Sequence, residues 1–389
     1  MSVSPVAYRG QRAADVIIIG AGIIGAACAR ECARQGLSVL VIEPRAPGSG
    51  ATAAAMGHLL VVDALDPADG HEYALSRRSL QLWRHWLDAN AEAACEVEHH
   101  RCGTLWVAAD DEELQLAQDK ARWMAAQGLK AELLDARALR EAEPLLREGL
   151  AGGLRIADDA RVYPPKVVAR WLRESGAQLL RAEVEALEPG GGVRLADGRR
   201  LWAAAVWLCA GLHSQRFLPP GLLLAKKGQL AITQREAQRP AIRHQLVELG
   251  YLKKAHLVDQ DSVSFNVQPR PGGQWLIGSS RQPGRADEAL DLPQLRQMLR
   301  CAQGYLPSLA QRSLLRAWTG LRPASADGAP LIGVHPTLSR CWVAAGHEGL
   351  GITTSLATAE LLAQRCLGHE TSLDPSLYDP ARPSLARKP

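Results

Sequence analysis

Residues Asp15 to Glu43 constrain this chain more than any other stretch. They read Asp-Val-Ile-Ile-Ile-Gly-Ala-Gly-Ile-Ile-Gly, then Ala26 to Gln35, then Gly-Leu-Ser-Val-Leu-Val-Ile-Glu. Val16–Ile19 is apolar and β-branched, the form of a strand buried on both faces of a parallel sheet. Gly20, Gly22 and Gly25 follow at G-x-G-x-x-G spacing, with Ile23 and Ile24 in the turn. Ala26–Gln35 is dense in helix formers, Gly36 is placed to stop that helix, and Ser38–Ile42 is again strand-like. One glycine allows the tight turn, one lets backbone N–H groups approach a pyrophosphate, and one lets helix and strand pack closely. The helix N-terminus adds its partial positive charge. Glu43, followed by Pro44, ends the second strand where a carboxylate accepts both hydroxyls of an adenosine ribose and disfavours a 2′-phosphate. A glycine turn can serve packing alone, but here the whole strand, turn, helix, strand and acid order fits within about 30 residues.

A chain of 389 residues makes one large or two moderate domains. At 47% hydrophobic, 22% charged and a net charge of +4, it reads as globular, with no basic block for nucleic acid or a membrane surface. Its 8 cysteines contain no C-x-x-C pair, so neither a metal site nor an iron–sulfur or disulfide framework is expected, and a reducing, cytoplasmic setting follows. Cys28 and Cys32 lie one turn apart on the first helix and read as buried thiols. Arg9 and Arg12 before an apolar run imitate a signal peptide, but Asp15 and the glycine fingerprint argue against one, and no apolar run is long enough to span a membrane.

After Glu43 comes a loop of small residues, Gly48 to Gly57, containing Ala51, Thr52, Ala55 and Met56 and ending at His58; it lets backbone approach a flat ligand. Residues 72–87 are helical by pattern. From residue 97 to 150 the character changes to a strand at 103–108 and charged helices at 111–127 and 135–143, the start of a second domain. A helix is expected after Tyr163, a strand over 178–187, and a hairpin around Gly190–Gly192. The apolar run 201–209 ends in Ala210-Gly211, the edge expected beside a bound nucleotide. Strands at 228–233, 262–269 and 274–278 and a helix at 292–306 then return to the second domain, with Pro271-Gly272-Gly273 as a hairpin turn. The expected division is a nucleotide domain of 1–90, 151–225 and 317–389 and a substrate domain of 91–150 and 226–316. The fold class is α/β, a Rossmann-like domain joined to a discontinuous α+β domain on an antiparallel-rich sheet.

The last segment holds Gly320-Leu321-Arg322-Pro323 and then Gly346-His347-Glu348-Gly349-Leu350-Gly351-Ile352-Thr353, which opens a helix to about Leu367. A second glycine-rich turn at a helix start offers N–H donors to a second part of the ligand, as an isoalloxazine carrying negative charge when reduced would require. This combination resembles the D-amino-acid-oxidase-like family of FAD-dependent oxidoreductases over nearly the whole chain. The resemblance implies FAD as cofactor, with Val184 beside the adenine. Ala54-Ala55-Met56-Gly57-His58 and the Gly346–Gly351 turn look most like the D-hydroxyproline dehydrogenase, opine oxidase and hydrogen cyanide synthase flavin subunits. Members of that group commonly work beside a second FAD subunit and a small iron–sulfur subunit, which would bring the chain to the inner membrane as a peripheral component. Monomeric sarcosine oxidase tethers its flavin through a cysteine where this chain has Gly320, so the FAD is expected to be non-covalent.

By the same resemblance Arg322, beside a turn fixed by Pro323, binds the substrate carboxylate, which a guanidinium fork suits; a salt bridge is the plainer role. His347 and Glu348 sit where they reach substrate or flavin edge, though His347 equally suits a helix cap. His58 reads as structural or flavin-packing before catalytic, and one of Lys226 and Lys227 sits over the ring unless both are solvated. The implied reaction is oxidation of a Cα–H bond beside an amine by hydride transfer, in a D- or secondary amino acid with D-hydroxyproline foremost, passing electrons to a partner or quinone. Two other functions share these motifs: a glycine- or sarcosine-type oxidase making peroxide, and a non-catalytic flavin scaffold subunit.

Overall fold

The computed structural model describes residues 12–62, 70–236, 241–250 and 260–387; Arg9 of the signal-peptide-like stretch lies outside them. The strand Ala14–Ile19 lies at the centre of one sheet, paired in parallel with Arg200–Leu208 on one side (Ile17 opposite Val206) and Val39–Ile42 on the other (Ile17 opposite Leu40). Gln178–Leu180 and Cys341–Ala345 extend the parallel set, and Leu331–Val334 closes one edge antiparallel. Ile17, Ile18 and Val41 are fully buried, Ile18 and Val41 under the helices of one face and Ile17 against Val193, Leu195 and Leu218 on the other.

One face carries the helix Ile23–Arg34, packed against Pro164–Ser175 and Gly351–Leu367, and His71–Asp88 lies on the last of these. Trp83, Trp86 and Trp171 meet in this layer at ring-centroid distances of 4.9 to 5.6 Å, each pair worth about 0.5–1.5 kcal/mol beyond its buried area. Cys28 and Cys32 are buried in it as well, Cys28 Sγ lying 3.9 Å from Cys209 Sγ.

The second sheet has eight strands in the order Leu314–Ser325, Leu223–Thr233, Trp275–Pro283, Ser262–Pro269, Gln245–Glu248, Thr104–Ala108, Gly152–Ile156 and Glu132–Asp135. Among the described residues, only Gln245–Glu248 against Thr104–Ala108 runs parallel in it. The helix Leu292–Tyr305 covers one face, its Met298 packed in one cluster with Phe265, Val267 and Ile277.

Three expectations are corrected. The segment 178–187 is two strands: Gln178–Leu180 joins the nucleotide sheet, while Val184–Glu188 forms a hairpin with Gly192–Leu195. Residues 152–156 and 314–316 were assigned by the boundaries at 151 and 317 to opposite sides, yet Gly152–Ile156 and the whole of Leu314–Ser325 belong to the second sheet. Pro323 lies inside a strand instead of a turn. That strand is an edge, where a residue without N–H is tolerated.

Candidate active site

The first glycine turn is tight for steric reasons visible atom by atom. A Cβ on Gly25 would lie 1.9 Å from the Gly20 carbonyl oxygen, and one on Gly20 (φ +100°) would lie 2.6 Å from the Cys209 oxygen. These two glycines join the helix start to the end of the Arg200–Leu208 strand, bringing Ala210 and Gly211 against the turn. Glu43 accepts hydrogen bonds from the Ala21 amide (2.9 Å) and the Arg45 amide (3.0 Å), which fixes its carboxylate beside the turn together with Pro44. Thr52 Oγ1 accepts from the Ile23 amide at 3.0 Å and ties the small-residue loop to the same helix end. Ile24 is partly buried behind it, and Val184 is buried in the core on the other side of the sheet.

The loop ends on Met56 and Gly57, where a Cβ on Gly57 (φ +86°) would lie 2.1 Å from the Val162 oxygen. From here a cleft opens between the second sheet on one side and the small-residue loop and the start of the closing helix on the other. Ala51, Ala55, Met56, Gly57, His58, Gly320, Arg322, Glu348, Gly349, Leu350, Ile352 and Thr353 all line it, so residues scattered over the chain are brought to one wall. Gly346 (φ +83°) packs on Ser325, and Gly351 begins the closing helix.

Arg322 is placed by a residue that sequence reading passed over. Gly228 sits opposite Gly320 on the neighbouring strand, and a Cβ there would lie 2.3 Å from an Arg322 guanidinium nitrogen. The guanidinium therefore crosses over Gly228 and donates to the Ser280 carbonyl on the third strand at 3.0 Å. The signal was a glycine inside a strand pattern, which marks a close approach of another group.

Glu348 adopts φ +46°, uncommon for a non-glycine residue. Its amide donates to the Pro323 oxygen at 2.8 Å, linking the last turn to the strand that carries Arg322. Its carboxylate lies 3.0 Å from Lys226 Nζ and 3.1 Å from an Arg281 nitrogen. Burial pushes its pKa up, but the charges of Arg281 and Lys226 outweigh this and hold it below the usual range. Lys227 points elsewhere, to Asp287 at 2.6 Å. The wall beside Arg322 is therefore cationic, one carboxylate among three basic side chains.

His58 lines the cleft but is neutral: burial, helped by the Arg270 charge, lowers its pKa to about 4. His347 does not reach the cleft wall. Its Nε2 meets Thr358 Oγ1 at 3.0 Å inside the closing helix, and burial brings its pKa to about 3. The histidine is an internal strut: it neither faces the cleft nor caps the helix, whose N-cap Leu350 has no side-chain bond. Arg281, Asn266 and Ser264 line the cleft without any motif in the sequence to announce them.

Neither helix start is capped by its own residue: Gly22 and Leu350 supply no side-chain acceptor. Among the described residues, only the Ile23 amide is taken at these helix starts, by Thr52. With an acid at the ribose position and a glycine-lined cleft between the two starts, the residues fit an extended dinucleotide whose flat end reaches the cleft. This fold and site define a dinucleotide-dependent oxidoreductase of the two-domain kind. The chain belongs to the FAD dependent oxidoreductase family, whose model matches residues 15–365, and its cofactor is FAD. It is 28% identical over 380 residues to the glycine oxidase of Bacillus licheniformis, covering 91% of this chain and 93% of that one. It is 26% identical over 408 residues to the hydrogen cyanide synthase subunit HcnC of Pseudomonas aeruginosa, covering 93% and 94%. The crystal structure of glycine oxidase from Geobacillus kaustophilus superposes with a TM-score of 0.83 at 26% identity, over 95% of this chain and 98% of that one.

Proposed function

We propose that the protein oxidises the Cα–H bond next to the amine of a D- or secondary amino acid, D-hydroxyproline foremost, and passes the electrons to a partner subunit or quinone. Gly20, Gly22, Gly25 and Glu43 would hold the ADP end of FAD, and Met56, Gly57, Gly320, Gly349 and Ile352, which line the cleft, would take its ring without a covalent link. When bound, FAD supplies the acceptor for the electron pair of the C–H bond. Arg322 holds the substrate carboxylate with its guanidinium fork, oriented by the Ser280 carbonyl. Glu348, held ionised between Lys226 and Arg281, keeps that wall from being wholly cationic and offers a negative partner to the substrate ammonium.

The observation carrying this reading is the passage of Arg322 over Gly228 into the cleft. The test is anaerobic bleaching of the flavin by D- and L-proline, their 4-hydroxy forms, sarcosine, glycine and opines. Bleaching by the D-imino acids, slowed about 100-fold or more in Arg322→Met with flavin content unchanged, is the expected result. No bleaching by any of them would leave a flavin scaffold subunit. The relatives named glycine oxidase support a second reading, an oxidase of glycine or sarcosine; peroxide formed in air at the rate of dye reduction would favour it. The relative named a subunit of hydrogen cyanide synthase supports assembly with a second flavin subunit and a small iron–sulfur subunit. No helix of the described residues is long and apolar enough to cross a membrane.

A further inference from the structure

A chain of buried side chains fixes the orientation of one amide on the cleft wall. Gln245 is fully buried, and its Nε2 lies 3.2 Å from the Ala160 carbonyl oxygen, which can only accept. Gln245 must therefore turn its Oε1 away, and that oxygen lies 2.5 Å from His58 Nδ1. His58 Nδ1 carries the proton, so Nε2 is the acceptor. Asn266 Nδ2 donates to it at 3.3 Å. The amide of Asn266 is thus locked, and its Oδ1 is left buried with no hydrogen-bond partner among the described residues. A buried acceptor without a donor is costly unless a ligand supplies one.

The location gives that oxygen a use. On the strand Ser262–Pro269, Ser262, Ser264 and Asn266 alternate onto the cleft, while Val263, Phe265 and Val267 enter the core. This strand is the direct neighbour of Trp275–Pro283, whose Ser280 carbonyl anchors Arg322. Neighbouring strands lie about 4.8 Å apart. An amino acid with its carboxylate on Arg322 and its skeleton directed across these strands would meet the serine and asparagine row.

We propose that Asn266, with its amide set by His58 and Gln245, reads a hydroxyl group on the substrate: the hydroxyl donates to Oδ1, and the site selects hydroxylated amino acids over their unsubstituted counterparts. The inference rests on the substrate class proposed above. A site that pairs a substrate hydroxyl rejects the analogue lacking it more strongly than an apolar pocket rejects a methylene.

The experiment uses the FAD-loaded protein and 4-hydroxy-D-proline against D-proline. Wild type should favour the hydroxylated acid in kcat/KM by about tenfold or more. Asn266→Leu should abolish that preference, lowering kcat/KM for the hydroxylated acid about 10- to 100-fold more than for D-proline, while unchanged flavin absorbance and melting temperature certify a folded holoprotein. Gln245→Leu, behind the cleft wall and outside its lining, should weaken the preference in the same direction by freeing the His58 proton. Equal losses on both substrates in Asn266→Leu, or a wild type indifferent to the hydroxyl, would overturn the proposal. Binding of both acids is read in parallel from the flavin spectrum. If the wild type binds without oxidising them, the proposed function falls, while tighter binding of the hydroxylated acid that Asn266→Leu removes still supports the role of Asn266, and equal dissociation constants refute it.

Discussion

At the scale of single residues, the site depends on what is missing as much as on what is present. Arg322 reaches the cleft because Gly228 has no side chain to obstruct it. Gly228→Ala should displace the guanidinium and raise KM for the substrate about tenfold or more with flavin content unchanged, since no part of the nucleotide turn is touched. A second prediction concerns His347. In the folded chain burial keeps it neutral down to about pH 3, whereas an unfolded histidine takes up a proton near pH 6.5. Between those values the unfolded chain binds more protons, so the contribution of this residue is complete above about pH 6.5 and is lost as the pH falls towards 3. The melting temperature of wild type should therefore fall more steeply between about pH 6.5 and 4 than that of His347→Asn; equal slopes would refute it. His58, with its pKa near 4, contributes with the same sign.

At the scale of elements, the nucleotide turn was the most legible part of the chain, because every requirement on it is local. The strand periodicity, three glycines and the terminal acid lie within one βαβ unit, and the structure returns them as read: Ala14–Ile19, Ile23–Arg34 and Val39–Ile42. Gly25→Val should yield folded but colourless protein, because its side chain would force the helix off the Gly20 carbonyl 1.9 Å from the Cβ position; retention of flavin absorbance at wild-type stoichiometry would contradict this. The edge strand Leu314–Ser325 was less legible. Its motif suggested a turn at Pro323, and the strand assignment follows only from its pairing with Leu223–Thr233, a partner about 90 residues away in sequence.

At the scale of the whole molecule, the C-terminal segment closes the fold. Arg382 is buried and grips Asp327 through two contacts of 2.5 and 2.7 Å while donating to the Ala329 and Pro330 carbonyls. Burial raises the Asp327 pKa, but the bonds to Arg382 and Ser384 outweigh it and bring it to about 2. Arg382→Ala leaves that carboxylate enclosed and unpaired, at a cost of about 3–5 kcal/mol. Loss of the thermal transition of the nucleotide domain by several degrees, with Ser384→Ala showing much less, is the expected outcome in a melting experiment.

The sequence by itself determined the dinucleotide grip, because that signal is written in consecutive residues whose spacing follows from strand and helix geometry. It also marked Arg322 and the second glycine turn as parts of one site. Only the tertiary structure decided which way the side chains of that site face. His347 turned inward to Thr358 although Glu348, one residue on, faces the cleft, since the positive φ at Glu348 reverses the chain there. Gly228, Ser280, Gln245 and Asn266 acquired their roles from strands placed side by side, and cross-strand proximity leaves no local trace in composition or period.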